Sequence, residues 1–171
     1  MERSNNKSGF TLIEMLAVMI LISITAGVGI ANYRAFQTQK TIETELLKFH
    51  KAVEYASQLS RTENSKICSS QAIDVKPTVY KLELYAINGQ YNAYRITGQC
   101  DESSVNPINY NLEKGIFTQR PFNTITFEVK TGKIIENIEN ACYKIQYNGI
   151  TKSLVFKNKY GGAEIKSENC N

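Results

Sequence analysis

The stretch KSGFTLIEMLAVMILISI, residues 7–24, opens an apolar run that extends from Phe10 to Ala31. A helix over these positions is roughly 33 Å long at about 1.5 Å per residue, which is enough to cross the hydrocarbon core of a bilayer. One carboxylate, Glu14, lies within the run. A charged side chain inside a membrane span is costly and usually marks a partner or a pathway. The run therefore predicts a membrane helix in which Glu14 has a specific partner.

The residues before the run predict its orientation. Arg3 and Lys7 precede it, so the positive-inside rule places residues 1–9 in the cytoplasm and the chain beyond Asn32 on the other side. A cleaved secretory signal peptide is the alternative, because residues 25–27 are small and offer a cleavage site. That alternative leaves the carboxylate of the run without a role.

The composition indicates one small domain attached to this anchor. Apolar residues make up 42% of the 171 residues, which suffices for a hydrophobic core beyond the anchor. The 20 basic and 16 acidic residues give a net charge of +4 and form no long runs. A polybasic tail that binds nucleic acid is therefore not indicated.

Beyond the run, apolar residues recur at intervals of three and four, which is the period of one helix face. They are Ile42, Leu46, Phe49, Val53 and Ala56. Charged residues fall mostly on the other faces, so the pattern predicts that the helix continues as an amphipathic rod. We expect one helix from Phe10 to about Arg61, whose second half packs on a globular head.

Alternating apolar and polar residues predict antiparallel strands in the rest of the chain. In TVYKLELYAI, residues 78–87, alternate side chains from Tyr80 to Ala86 share one face, and the pairs Asn88-Gly89 and Asn148-Gly149 are expected hairpin turns. Residues 99–121 are the expected irregular loop. One long helix packed on an antiparallel sheet makes an α+β protein. The further strands are expected at residues 90–96, 124–130, 133–136, 142–147, 150–157 and 163–166.

Four cysteines are widely spaced in a chain with one histidine: Cys68, Cys100, Cys142 and Cys170. Two disulfides in an oxidising compartment explain them better than zinc, so no metal site is expected. Four cysteines allow three pairings. We favour Cys68 with Cys100, which joins the end of the helix to the first hairpin, and Cys142 with Cys170, which ties the tail to the sheet. Each pair closes a loop of about 30 residues and adds a few kcal/mol of stability.

The octet GFTLIEML, residues 9–16, resembles the type III signal of type IV pilins and of the pseudopilins of type II secretion. The resemblance implies cleavage after Gly9 by a prepilin peptidase on the cytoplasmic side, followed by N-methylation of Phe10. It also implies a partner for Glu14, namely the methylated amine of a neighbouring subunit. The physical argument agrees, because two buried opposite charges are satisfied only when neighbouring helices bring them level.

The resemblance divides the chain into three parts. Residues 1–9 are the cleaved leader, residues 10–31 are the transmembrane and filament-core half of the helix, and residues 32–171 carry the amphipathic helix and a periplasmic, β-rich head. Such a pilin is held in the inner membrane by a single span before it enters a pilus or pseudopilus. Its implied partners are other major and minor pilins or pseudopilins, the prepilin peptidase and the inner membrane.

The junction between helix and strands, residues 45–70, is similar to that of the GspH/FimT group, and so is the ending over residues 124–166. This similarity implies a minor pilin that primes or caps assembly of a type IV pilus used in adhesion, motility or DNA uptake. A GspH-like pseudopilin of the type II secretion piston is the alternative. A competence pilin that binds DNA is the second alternative.

Enzymatic activity is not expected, and neither is a cofactor. His50 has no Ser or Cys nucleophile tied to it by a local motif, and we expect it to pack on the head or to face solvent. DNA binding is the weaker expectation, because some FimT-like proteins bind DNA through a G-R-x-R element near their tail, whereas residues 161–164 here read Gly-Gly-Ala-Glu. Lysine lacks the rigid fork with which arginine grips phosphate. The candidate DNA contacts are Lys152, Lys157, Lys159 and Lys166.

Overall fold

A computed structural model describes residues 11–64, 67–69, 76–100 and 104–167. It contains one long helix, α1 (Leu12–Arg61), followed by strands. The chain divides into two compact units, the first ending at Gln37 and the second beginning at Thr38. The strands are β1 (Cys68–Ser69), β2 (Val79–Ile87), β3 (Gln90–Gln99), β4 (Ser104–Val105), β5 (Ile108–Asn111), β6 (Ile116–Gln119), β7 (Thr124–Phe127), β8 (Cys142–Tyr147), β9 (Ile150–Phe156) and β10 (Ala163–Lys166).

In the first unit, α1 carries a dense apolar surface that faces outward. The exposed large apolar side chains between Leu12 and Phe36 retain from 49% to 83% of their accessible area. Among the described residues, no helix combines the length and apolarity that a membrane crossing requires.

In the second unit, the apolar stripe predicted for α1 is buried in the core. Phe49 lies at its centre, and its ring contacts those of Tyr94, Phe117 and Tyr143 at centroid distances of 5.1 to 5.3 Å. The prediction of an amphipathic helix packed on a sheet is confirmed, and with it the α+β class. The fully buried members of the stripe are Ile42, Leu46, Phe49, Val53 and Ala56.

Two four-stranded antiparallel sheets form most of the second unit. Their strand orders are β5-β3-β2-β7 and β10-β9-β8-β6, and β1 pairs with β4 in a separate two-stranded sheet. The two Asn-Gly turns are confirmed, since β2 and β3 are joined at Asn88-Gly89 and β8 and β9 at Asn148-Gly149. All four turn residues have positive φ, between 48° and 78°, which is the backbone that tight hairpins require.

Three details of the strand prediction are wrong. The expected loop of residues 99–121 contains β4, β5 and β6. Residues 133–136 form one isolated bridge, between Phe127 and Ile134, because the backbone N–H of Thr126 donates to the Glu136 carboxylate and not to a backbone carbonyl of the bridge segment. Ala86 is exposed, because a shift of register after Tyr85 takes it off the buried face.

A disulfide joins Cys68 to Cys100, with an S–S distance of 2.02 Å and a sequence separation of 32 residues. This is the pairing favoured above because it joins the end of the helix to the first hairpin. Cys142 is also disulfide-bonded. Its favoured partner, Cys170, lies outside the described residues.

The loop after β7 closes the end of α1. The backbone N–H of Lys130 donates to the carbonyl of Ser60, one of the last helix carbonyls, at 2.9 Å. The hydroxyl of Ser57 donates to the carbonyl of Gly132 at 2.8 Å. Gly132 has a φ of +68°, and a Cβ placed there would lie 2.7 Å from the carbonyl oxygen of Ser57. The contact therefore requires glycine.

Candidate functional site

The start of α1 is the candidate assembly site, and its described part is a reciprocal hydrogen-bonded cap. The backbone N–H of Thr11 donates to Oε2 of Glu14 at 2.9 Å, and the Thr11 hydroxyl donates to the same oxygen at 2.8 Å. In return, the backbone N–H of Glu14 donates to the Thr11 hydroxyl at 3.3 Å. This arrangement is a capping box, which satisfies backbone donors that the first helical turn leaves without partners.

The cap gives Glu14 a role that the sequence analysis missed. The signal was present as the spacing T-x-x-E immediately before an apolar run, which is the sequence pattern of a capping box. Both of the Thr11 bonds end on Oε2, and an ionised carboxylate offers about four acceptor positions. Glu14 can therefore hold the cap and accept from a further donor at the same time. The two processing residues, Gly9 and Phe10, lie outside the described residues.

The four candidate DNA-contacting lysines are spread over the C-terminal strands, and two of them contact carboxylates. Lys152 on β9 is ion-paired with Glu43 of α1 and is nearly buried. Its hydrogen bond, with that of Lys40, lowers the pKa of the Glu43 carboxyl below its ordinary value. This pair fastens the helix to β9.

The second ion-paired lysine is Lys157, whose Nζ lies 2.6 Å from Oε2 of Glu164. Glu164 belongs to the element Gly161-Gly162-Ala163-Glu164, where the arginine-bearing pattern is missing. The hydrogen bond from Lys157 lowers the pKa of this carboxyl. Lys159 lines a small cavity of about 200 Å³, and Lys166 ends β10. Two of the four candidate lysines are thus ion-paired with carboxylates of this chain.

His50 packs on the head. Its Nε2 lies 2.7 Å from the carbonyl oxygen of Gly161, so the tautomer with a proton on Nε2 donates to that oxygen. Its ring also lies near the ring of Phe156, at 6.5 Å between centroids. Within the described ranges, no three His, Cys, Asp or Glu side chains are grouped as metal ligands.

The comparisons with known proteins bear on the start of the chain. Residues 4–30 match the family described as "Prokaryotic N-terminal methylation motif". No curated protein and no solved structure matched the chain. The matched segment includes Gly9, Phe10 and Glu14, which are the residues that carry the resemblance of GFTLIEML.

The match supports the resemblance to type IV pilins and pseudopilins that residues 9–16 carry. That resemblance implies association with other pilins and with a prepilin peptidase. One long helix followed along the chain by antiparallel sheets is consistent with the α+β fold of pilins.

Proposed function

We propose that this chain is a minor pilin, a structural subunit that helps to prime or cap assembly of a type IV pilus. The observation that carries the proposal is the methylation motif at residues 4–30, placed at the start of a helix that runs without interruption to Arg61. Residues 1–9 are the leader, removed after Gly9, and Phe10 becomes the methylated first residue. Residues 10–31 anchor the subunit in the inner membrane, and residues 32–171 form the periplasmic part.

The exposed apolar surface of the first unit supports this proposal. Thirteen large apolar side chains between Leu12 and Phe36 are exposed, and a surface of this extent is a site for lipid or protein contacts. Lipid covers it before assembly, and the helices of other pilins cover it in the filament.

In the filament, Glu14 accepts from the methylated amine of Phe10 of a neighbouring subunit. The amine is a cation, and both charges are costly inside an apolar bundle unless they meet. The pair therefore favours the one stagger of neighbouring helices that brings the two groups level. The capping box holds the carboxylate at the helix start, while its remaining acceptor positions serve the neighbour.

The ion pairs of the head favour the role of a filament subunit over that of a DNA-binding pilin. Lys152 and Lys157, two of the four candidate phosphate contacts, already contact carboxylates. A pseudopilin of type II secretion remains the alternative within the same family. The neighbouring genes distinguish the two, since a pseudopilin gene lies beside those of a secretion ATPase and an outer-membrane channel.

Two matched variants test the role of Glu14 in cells that assemble the filament. Glu14→Gln keeps the capping geometry, because glutamine also serves in a capping box, but removes the charge. Thr11→Val removes the hydroxyl of the cap but keeps the charge. We expect Glu14→Gln to remain in the membrane and to be depleted from sheared filaments, while Thr11→Val enters filaments. Normal assembly of Glu14→Gln would contradict the proposed pairing.

A further inference from the structure

Four strands lie at the edges of the two large sheets, and three of them are protected against pairing with another chain. In β7, Thr126 receives a hydrogen bond from Ile135 and donates its N–H to Glu136. In β6, the register shifts between Phe117 and Gln119. In β10, charged side chains occupy alternate positions, at Glu164 and Lys166. Coverage, bulges and charges are the usual devices that protect sheet edges.

The fourth edge strand, β5, has neither a bulge nor a charged side chain, although it is short and Pro107 precedes it. Its sequence is INYN, and its register with β3 is regular from Ile108 to Asn111. In the part of the chain that the structure describes, no strand lies on its other side. The side chains of Asn109 and Asn111 are exposed.

The hydrogen-bond pattern shows which backbone groups of β5 point away from the sheet. Leu112 donates to the carbonyl of Asn92, so this pair is bonded, and in an antiparallel ladder bonded pairs recur at every second residue. Tyr110 and Ile108 are therefore bonded to β3. The N–H and C=O groups of Asn109 and Asn111 point outward, toward the unpaired side.

A groove of about 620 Å³ runs between β5 and one face of α1. Its walls are largely apolar, and its floor includes Tyr110, which stacks on Tyr94 at 5.2 Å. The helix wall consists of side chains spaced by three and four residues, and Leu47 among them is 48% exposed. These helix residues are Thr44, Leu47, Lys48, Lys51, Ala52 and Tyr55.

Two lysines of α1, Lys48 and Lys51, line the groove and differ in their ion pairs. The ammonium nitrogen of Lys48 lies 2.7 Å from Glu113 and 3.2 Å from Glu45, and these hydrogen bonds raise the pKa of Lys48 above its ordinary value. Further along the helix, Lys51 is 75% exposed, and its Nζ lies 3.3 Å from the exposed carboxylate of Glu54. An exposed ion pair of this kind is weak, so Lys51 can turn to a carboxylate inside the groove.

We propose that the edge of β5 and this groove together bind an extended segment of a partner protein by strand addition. The segment pairs with the outward groups of Asn109 and Asn111 and becomes a fifth strand of the sheet. Alternate side chains of an added strand face α1. The bound segment therefore carries an apolar side chain that contacts Leu47 and Tyr55, and a carboxylate two residues away that pairs with Lys51. The proposal uses no residue of the first unit and does not rest on the proposed function.

Fluorescence anisotropy with a labelled synthetic peptide tests the proposal on the full chain in detergent micelles. The probe is a short threonine-rich peptide with one leucine and one glutamate two positions apart. Asn111→Pro removes an outward N–H and leaves the bonds to β3 in place, whereas Asn111→Ala keeps that N–H. We expect saturable binding by the wild type, roughly tenfold weaker binding by Asn111→Pro, and binding within about twofold of wild type by Asn111→Ala.

A second measurement, on the wild-type chain alone, removes any doubt about the folding of the proline variant. Two peptides are N-methylated at opposite sets of alternate amides, and we expect one set to abolish binding and the other to leave it intact. Lys51→Gln should weaken binding of the glutamate peptide several-fold and leave a glutamine peptide unaffected. Absence of peptide binding to the wild type, or an equal effect of the two methylated sets, would overturn the proposal.

Discussion

The two parts of α1 use the same kind of residue for opposite purposes. Phe36, in the first unit, is 54% exposed, while Phe49, in the second, is fully buried among three aromatic rings. The apolar residues of the first part occupy all faces of the helix, so no single packing partner within the chain can cover them. Those of the second part are confined to one stripe, and the sheets cover it. The distribution of apolar residues around a helix therefore distinguishes a surface that needs other molecules from one that the chain buries itself.

The first prediction compares these two phenylalanines directly. We expect Phe49→Ala to lower the free energy of unfolding of the head by about 3 to 5 kcal/mol, because it leaves a cavity at the centre of the core. Phe36→Ala should change that free energy by less than about 0.5 kcal/mol, since exposed positions contribute little to stability. Denaturant unfolding of the two variants in detergent, followed by tyrosine fluorescence, measures the difference. Equal destabilisation would show that the two parts of α1 are not distinct.

The second prediction concerns the disulfide of the second unit. Replacing Cys68 and Cys100 together with serine should cost roughly 3 to 4 kcal/mol, because the unfolded chain regains the freedom of a 32-residue loop. The melting temperature of the double variant, compared with that of the wild type under non-reducing conditions, measures this loss. A melting temperature equal to that of the wild type would show that the crosslink does not stabilise the head.

The third prediction compares two glycines with similar backbones and different surroundings. Gly132 and Gly149 have φ values of +68° and +77°, but a Cβ at Gly132 would meet Arg61 and Ser57, whereas one at Gly149 would meet nothing within 4 Å. We expect Gly149→Ala to cost about 1 kcal/mol, from the left-handed backbone alone, and Gly132→Ala to cost about 2 to 3 kcal/mol. Thermal unfolding of both variants provides the measurement. A smaller effect at Gly132 would mean that the loop after β7 does not hold the end of α1.

The fourth prediction, with the smallest effect, concerns the pair of Glu43 and Lys152. The folded-state pKa of Glu43 is lowered, so the unfolded state binds more protons and stability rises with pH. The contribution is complete above the ordinary glutamate pKa of about 4.5 and is lost as pH falls through the lowered folded value. We expect Glu43→Gln to flatten the stability profile below about pH 5 by up to about 1 kcal/mol.

A matched variant, Glu164→Gln, removes the pair with Lys157, in which both side chains are about half exposed. Water screens exposed pairs, so this variant should change the profile less than Glu43→Gln does. A larger change from Glu164→Gln would contradict the view that the pair of Glu43 and Lys152 fastens the helix to β9.

The sequence predicts the head well wherever one periodic pattern decides the structure. The α1 stripe and the two Asn-Gly turns follow from spacing and from backbone preferences that act locally. The strands β5 and β6 were missed because each has only four residues, and in β5 the alternation is between apolar residues and exposed asparagines. Such short strands are stabilised by pairing with β3 and β8, which a local pattern does not reveal.

The sequence predicts the kind of site at the start of α1 well, but it predicts the hydrogen bonds within that site less well. The octet GFTLIEML lies within residues 4–30, which match the methylation motif, so the match supports the resemblance that the octet carries. The capping box of Thr11 and Glu14 was not predicted, because a T-x-x-E spacing alone is a short and common pattern, and only the hydrogen bonds distinguish a cap from a charge in an apolar run. The burial of Glu45 was also missed, because its partners are the side chain of Lys48 and the backbone N–H of Glu113, 68 residues along the chain.

Mass spectrometry of the N-terminus tests the central claim most directly, because the claim is that the chain is processed as a type IV pilin. The full chain is expressed with its prepilin peptidase, and the membrane-bound protein is digested and analysed. The account predicts a first residue of Phe10 carrying one N-methyl group, and a Gly9→Val variant that keeps its leader. A mature protein that begins at Gly27 or Val28 would identify a conventional signal peptide and contradict the account.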